Sequence, residues 1–133
     1  RGYPCQARLD WVNREAGIVD LETCDELRWC EWDARRHGYA HQLAFYRAVL
    51  TAALRAKASA ESPGFCHGTP GVPVYLVAVE KREPFRCGVW RVGEGVLGQA
   101  EKENEAAIEH LKECEESDTW PTGYEDLRTF DYI

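Results

Sequence analysis

Two aspartates and a glutamate near the start of the chain, Asp10, Asp20 and Glu22, carry the spacing most suggestive of chemistry. The runs CQARLDWV and IVDLE flank the loop Asn13 to Gly17 and partly alternate apolar with polar residues, as half-buried strands do. If they form a hairpin that pairs Val12 with Ile18, Asp10 falls opposite Asp20, and Glu22 points to the same face because strand side chains repeat with period two. Like charges at that separation repel, and a bound cation removes the penalty. Hard divalent ions take oxygen ligands and leave positions for water and a phosphate. The chemistry such a trio suits is metal-assisted phosphodiester hydrolysis. The residues alone favour three ordinary acids on the solvent face of a hairpin, and a slip of one residue would scatter the set.

The elements that must hold these acids can be read from periodicity. Residues 23 to 34 contain Trp29 and Trp32 among many charges and read as an irregular connection. From about Arg35 to Lys57, Tyr39, Leu43, Tyr46, Leu50 and Leu54 recur at three- and four-residue spacing, which predicts a helix burying one stripe. Residues 58 to 73 gather Ser, Pro and Gly into a loop. PVYLVAVE (residues 73–80) and FRCGVWRV (residues 85–92) read as a second hairpin turning at Lys81 to Pro84. Leu97, Ala100, Asn104, Ala107, Leu111 and Cys114 line one face of a final helix. The predicted order is ββαββα.

A length of 133 residues with 44% hydrophobic content suits a single domain with one core. No apolar run approaches the roughly 18 residues of a membrane span, and no signal-peptide order stands at the N-terminus, so a soluble, cytoplasmic protein is expected. The first residue is Arg1 and methionine is absent, so an element upstream is expected to be missing. The six cysteines are spread without a CxxC and read as free thiols, with Cys5 and Cys87 in strand-like runs. Cys24, Cys30 and His37, or Cys66 with His67, match no common zinc spacing. The net charge of −7 is uneven: residues 101–118 hold eight acids against Lys102 and Lys112. The rest is close to neutral and contains Arg8, Arg35, Arg36 and Lys81 as candidate DNA contacts, so nucleic-acid binding stays open.

In order and spacing, RLDWV, GIVDLET, HGYAHQLAFY and VYLVAVEKREPF resemble the nuclease core of exodeoxyribonuclease VIII and related phage-type recombination exonucleases, within the PD-(D/E)XK superfamily. The helix motif Gln42-x-x-x-Tyr46, preceded by Tyr39, is its most specific piece, and Trp120, Pro121 and Tyr124 resemble the family's closing segment. The resemblance implies an α/β (α+β) fold with a restriction-endonuclease-like core, a mixed sheet flanked by helices, over residues 1–133 as one nuclease-like domain. It further implies a Mg²⁺-dependent exodeoxyribonuclease, with Mn²⁺ as substitute, acting on duplex DNA ends in recombination or repair.

Homo-oligomeric rings and a recombination partner protein are implied as well. In a ring the acidic C-terminal helix would lie away from the DNA. Asp10 and Asp20 would bind metal with the carbonyl of Leu21, and Gln42 and Tyr46 would flank the site. Glu22 departs from the family's D-x-K pattern by standing where the lysine belongs. Three readings stay open: Glu22 acts as a general base or extra ligand, a cation moves in from Arg8, Lys81 or elsewhere, or the fold is inactive and binds DNA or protein.

Overall fold

A computed structural model describes residues 3–13, 16–61, 71–129 and 131. The elements are β1 (Trp11–Asn13), β2 (Gly17–Cys24), a 3-10 turn (Leu27–Trp29), α1 (Cys30–Arg36), α2 (Tyr39–Glu61), β3 (Val74–Glu80), β4 (Cys87–Arg91) and α3 (Glu94–Ser117). The four strands form one sheet in sequence order. β1 is antiparallel to β2, β2 is parallel to β3, and β3 is antiparallel to β4. A parallel neighbour cannot be reached by a tight turn, so the chain crosses over between β2 and β3 through α1 and α2.

β3 is apolar and rich in β-branched residues, as expected of a strand with neighbours on both edges. Its Val74, Leu76 and Ala78 are buried with Ile18 of β2, Leu43 and Ala44 of α2, and Leu97 and Ala100 of α3. The helices therefore cover the sheet face that presents the even-numbered residues of β2 and β3. On the opposite face the pairing aligns Leu21, Val77 and Val89 in one row, and Leu21 and Val89 are exposed.

Two glycines set the geometry around the site. Gly17 has φ +104°, and a Cβ there would meet the Pro73 carbonyl oxygen at 2.2 Å. Only the bare backbone lets the Ile18 amide donate to that oxygen, at 2.8 Å, where β3 begins. Gly38, at φ +71°, ends α1 in the left-handed conformation that commonly closes helices.

Several expectations need correction. The connection read as irregular over residues 23–34 contains the end of β2, the 3-10 turn and most of α1. The helix expected from about Arg35 is two helices, because Gly38 breaks the backbone path although the apolar spacing continues through it. Leu54, assigned to the buried stripe, is exposed. The strand expected from Cys5 is confined to Trp11–Asn13, so Arg8 and Asp10 do not share a strand face. Cys5 and Cys87 are exposed, whereas Cys24, Cys30 and Cys114 are buried free thiols. The expected Cys66–His67 loop lies outside the described residues.

Candidate active site

Val12 pairs with Ile18 and Trp11 with Val19. Asp10 lies in a bend one residue before β1, where its Oδ2 accepts the Leu21 N–H at 3.0 Å. This places the Asp10 carboxylate against the stretch of β2 that carries Asp20. Asp20 is only 3% exposed, yet its Oδ2 has no hydrogen-bond partner among the described residues. Burial, followed by the charges of Asp10 and then Glu22, raises its pKa from 3.8 to about 6.

Glu80 shows that this is not how the fold treats buried carboxylates in general. It is almost as buried as Asp20, but it takes two hydrogen bonds from Arg86, at 2.8 and 2.7 Å, and one from the Leu27 amide at 3.0 Å. Those bonds hold its pKa below the usual glutamate value. Glu80 is saturated and ties β3 to the following turn and to the 3-10 turn. Asp20 is left with a free oxygen beside a second carboxylate, an arrangement whose cost a cation would cancel.

Glu22 is half-buried, and the Tyr39 phenol, at the start of α2, lies close to its carboxylate. Burial and the Glu22 charge hold the phenol above its ordinary pKa. Glu22 also lines a cavity of about 370 Å³ together with Cys30, Asp33, Arg36, His37 and Lys81. One turn further along α2, the Gln42 amide donates to the Tyr46 hydroxyl at 3.0 Å, and Tyr46 packs against the core. The two residues of the helix motif thus bond to each other.

The basic candidates are dispersed. Arg8 is exposed, as is Arg35 on α1. Arg36 lies over the Trp32 ring, and Lys81 pairs with Asp25 at 3.7 Å. Arg36 and Lys81 do reach the cavity beside Glu22. Leu21 is 57% exposed. Sequence reasoning missed the placement of Tyr39 beside Glu22. Cys24, Cys30 and His37, weighed together from the sequence as a zinc set without a matching spacing, do share the cavity wall, but among the described residues no such group is placed to hold a metal ion.

Among the described residues, no group of three His, Cys, Asp or Glu side chains is placed to hold a metal ion together. The expected convergence of three carboxylates is therefore a pair, Asp10 and Asp20, with Glu22 and the Tyr39 phenol alongside. A carboxylate pair still fits an octahedral divalent ion, which typically uses one or two protein carboxylates and keeps its other positions for water and phosphate. The free Asp20 oxygen is the structural sign that the donor set suits such an ion.

A family model described as a PDDEXK-like domain of unknown function (DUF3799) matches residues 1–131. The chain belongs to this PDDEXK-like family. No curated protein matches the sequence. The mixed four-stranded sheet with flanking helices agrees with the restriction-endonuclease-like fold, an α+β arrangement. Membership points to nuclease-type function, hence to phosphodiester hydrolysis, DNA as substrate and the divalent ions that PDDEXK nucleases generally use. Among the described residues no helix is long and apolar enough to cross a membrane.

Proposed function

We infer that this domain is a metal-dependent deoxyribonuclease, hydrolysing phosphodiester bonds from the ends of duplex DNA in recombination or repair. The observation that carries the reading is the unpartnered oxygen of buried Asp20 beside Asp10. Asp10, Asp20 and the Leu21 carbonyl would hold Mg²⁺, or Mn²⁺ in its place, and the ion would supply Lewis acidity and an acidified water. The protein's own part is to orient. The Leu21 amide fixes the Asp10 carboxylate, and the Tyr39 hydroxyl stands beside Glu22. Glu22 then serves as the base that accepts the proton of the attacking water, in place of the lysine of the family pattern. Gln42 and Tyr46 form the helix wall beside it. Exonucleolytic action and assembly into a ring rest on the resemblance to exodeoxyribonuclease VIII.

A second reading, an inactive nuclease fold that binds DNA or protein, is favoured by one observation. Where the lysine would stand there is a carboxylate, and the cavity cations Lys81 and Arg36 already engage Asp25 and Trp32.

Degradation of linear against circular duplex DNA, with Mg²⁺ or Mn²⁺, separates the readings. The nuclease reading expects metal-dependent loss of linear DNA alone, abolished in Asp20→Ala. It expects Glu22→Lys to lose cleavage as well. No cleavage with either ion, or a large gain in Glu22→Lys, establishes the inactive fold instead.

A further inference from the structure

Trp29 and Trp32 are each 55% exposed, although side chains of this size are normally drawn into the interior. They are not scattered surface residues. Trp29 ends the 3-10 turn and Trp32 lies one turn further, in α1, and both line a single open cleft of about 460 Å³. The remaining lining residues are Asp25, Glu26 and Asp33. Two indoles and three carboxylates thus share one concave surface; Glu26 pairs with Arg28 and Asp25 with Lys81 from beside it, and Asp33 has no ion pair among the described residues.

Each ring has a guanidinium beside it. The Arg28 guanidinium lies 5.8 Å from the centre of the Trp29 ring, and that of Arg36 lies 5.2 Å from the Trp32 ring. Arg28 also pairs with Glu26 at 2.7 Å, which fixes one wall. A ring already ordered by its neighbours loses less conformational freedom when a ligand arrives.

We propose that this cleft docks a basic segment of a partner protein, with a lysine or arginine side chain seated between the two tryptophans and the three carboxylates. Charge complementarity selects this occupant. An indole face attracts a cation through its quadrupole, and desolvation strengthens that attraction. Asp33 adds Coulombic attraction for a cation with no existing pair to displace, and Asp25 and Glu26 would exchange their exposed pairs with Lys81 and Arg28 for it. A nucleic acid would find stacking surfaces here, but its phosphates would meet Asp25, Glu26 and Asp33. Arginine and tryptophan are also the side chains most often found at the energetic centres of interfaces. The cleft shares Asp25 and Asp33 with the cavity that holds Glu22, so an occupant would add positive charge to a wall common to both. The inference does not depend on the nuclease reading.

The test is a heteronuclear NMR titration of the whole chain with a short capped peptide of glycine, lysine and arginine at near-physiological salt. The indole N–H signals of Trp29 and Trp32 are assigned from single-alanine variants. Saturable movement of both signals is expected. Trp32→Ala should weaken binding about fivefold or more, the range a partly desolvated cation–π contact supports. Asp33→Asn should weaken it too, and it leaves both rings in place. A paired Glu105→Gln, Glu109→Gln variant on α3 should leave the affinity unchanged, since those acids lie on another element. Three results overturn the proposal: no saturable binding; binding that survives the cleft variants and falls in the α3 variant; or indole signals that respond to a thymidine oligonucleotide and not to the peptide, which makes the cleft a nucleic-acid surface.

Discussion

Replacing Asp20 by asparagine should change the stability of the protein in a way that depends on pH, and the sign follows from burial. The folded state holds the Asp20 proton more tightly than the unfolded chain does, because its pKa rises from 3.8 to about 6. The cost of ionising it is absent below the unfolded value, grows as pH climbs through this window, and is constant above about 6. A rise of this size corresponds to roughly 3 kcal/mol once both states are ionised, an upper figure because water at exposed Asp10 screens part of the repulsion.

At about pH 4.5 the same linkage leaves only about 1 kcal/mol, so the benefit of Asp20→Asn should be about 2 kcal/mol larger near pH 8. Whatever the buried amide costs by its own pairing is the same at both values and drops out of the difference. Urea unfolding of both proteins at the two pH values, without divalent ions, measures it. A divalent ion at tenfold its dissociation constant should then stabilise the unaltered protein near pH 8 by about 1.4 kcal/mol and leave the asparagine variant unmoved. An equal stability change at both pH values, or an equal response of the two proteins to Mg²⁺ or Mn²⁺, refutes the account of Asp20.

The saturated carboxylate should behave in the opposite sense. Glu80 is held below its ordinary pKa of 4.5, so its contribution is present above that value and lost as pH falls below it; Arg86→Ala should lower the unfolding midpoint near pH 7 and much less near pH 3, as circular dichroism melts would show. Gly17→Ala should cost about 2 kcal/mol or more in urea unfolding, since the new methyl meets the Pro73 carbonyl in a backbone conformation that side chains disfavour. Tyr39→Phe should lower kcat with little change in KM, by about 3- to 10-fold for the loss of the polar hydroxyl beside Glu22, and steady-state cleavage assays read the split. Alanine substitution of Glu105 and Glu109 should leave DNA affinity unchanged or slightly raised, and a clear loss in a fluorescence anisotropy titration would contradict the placement of the acidic helix away from DNA.

How far the sequence made this visible differs from element to element. The register of the first hairpin was legible because Asn13 to Gly17 fixes the loop, and the pairing of Val12 with Ile18 follows from the alternation on either side. The two helices after β2 were not, since the apolar spacing runs through the helix break and only the left-handed backbone at Gly38 ends α1. The proximity of Asp10 to Asp20 could be argued from pairing, but not the orphaned oxygen, which depends on how α2 and α3 cover that face of the sheet. Glu22 announced itself by departing from the lysine pattern, while its proximity to Tyr39 needed the helix to be docked. Trp29 and Trp32 misled in a different way. Large aromatic residues among charges without periodicity suggest an irregular connection, and nothing in the sequence distinguishes that from two rings sharing an open cleft.

The parallel pairing of β2 with β3 also governs the order in which the site is built. Asp10 and Asp20 belong to a local hairpin that a short loop can close within microseconds. β3 lies beyond the whole helical crossover, so its pairing with β2 must await the closure of a long loop. The two carboxylates therefore meet while still bathed in water, where their repulsion is weak. The free energy of forcing them together falls due at the later step, when β3 and the helices seal over Asp20. A divalent ion present during folding would act at that second step, leaving the first hairpin's formation unchanged and favouring the closure that buries the pair.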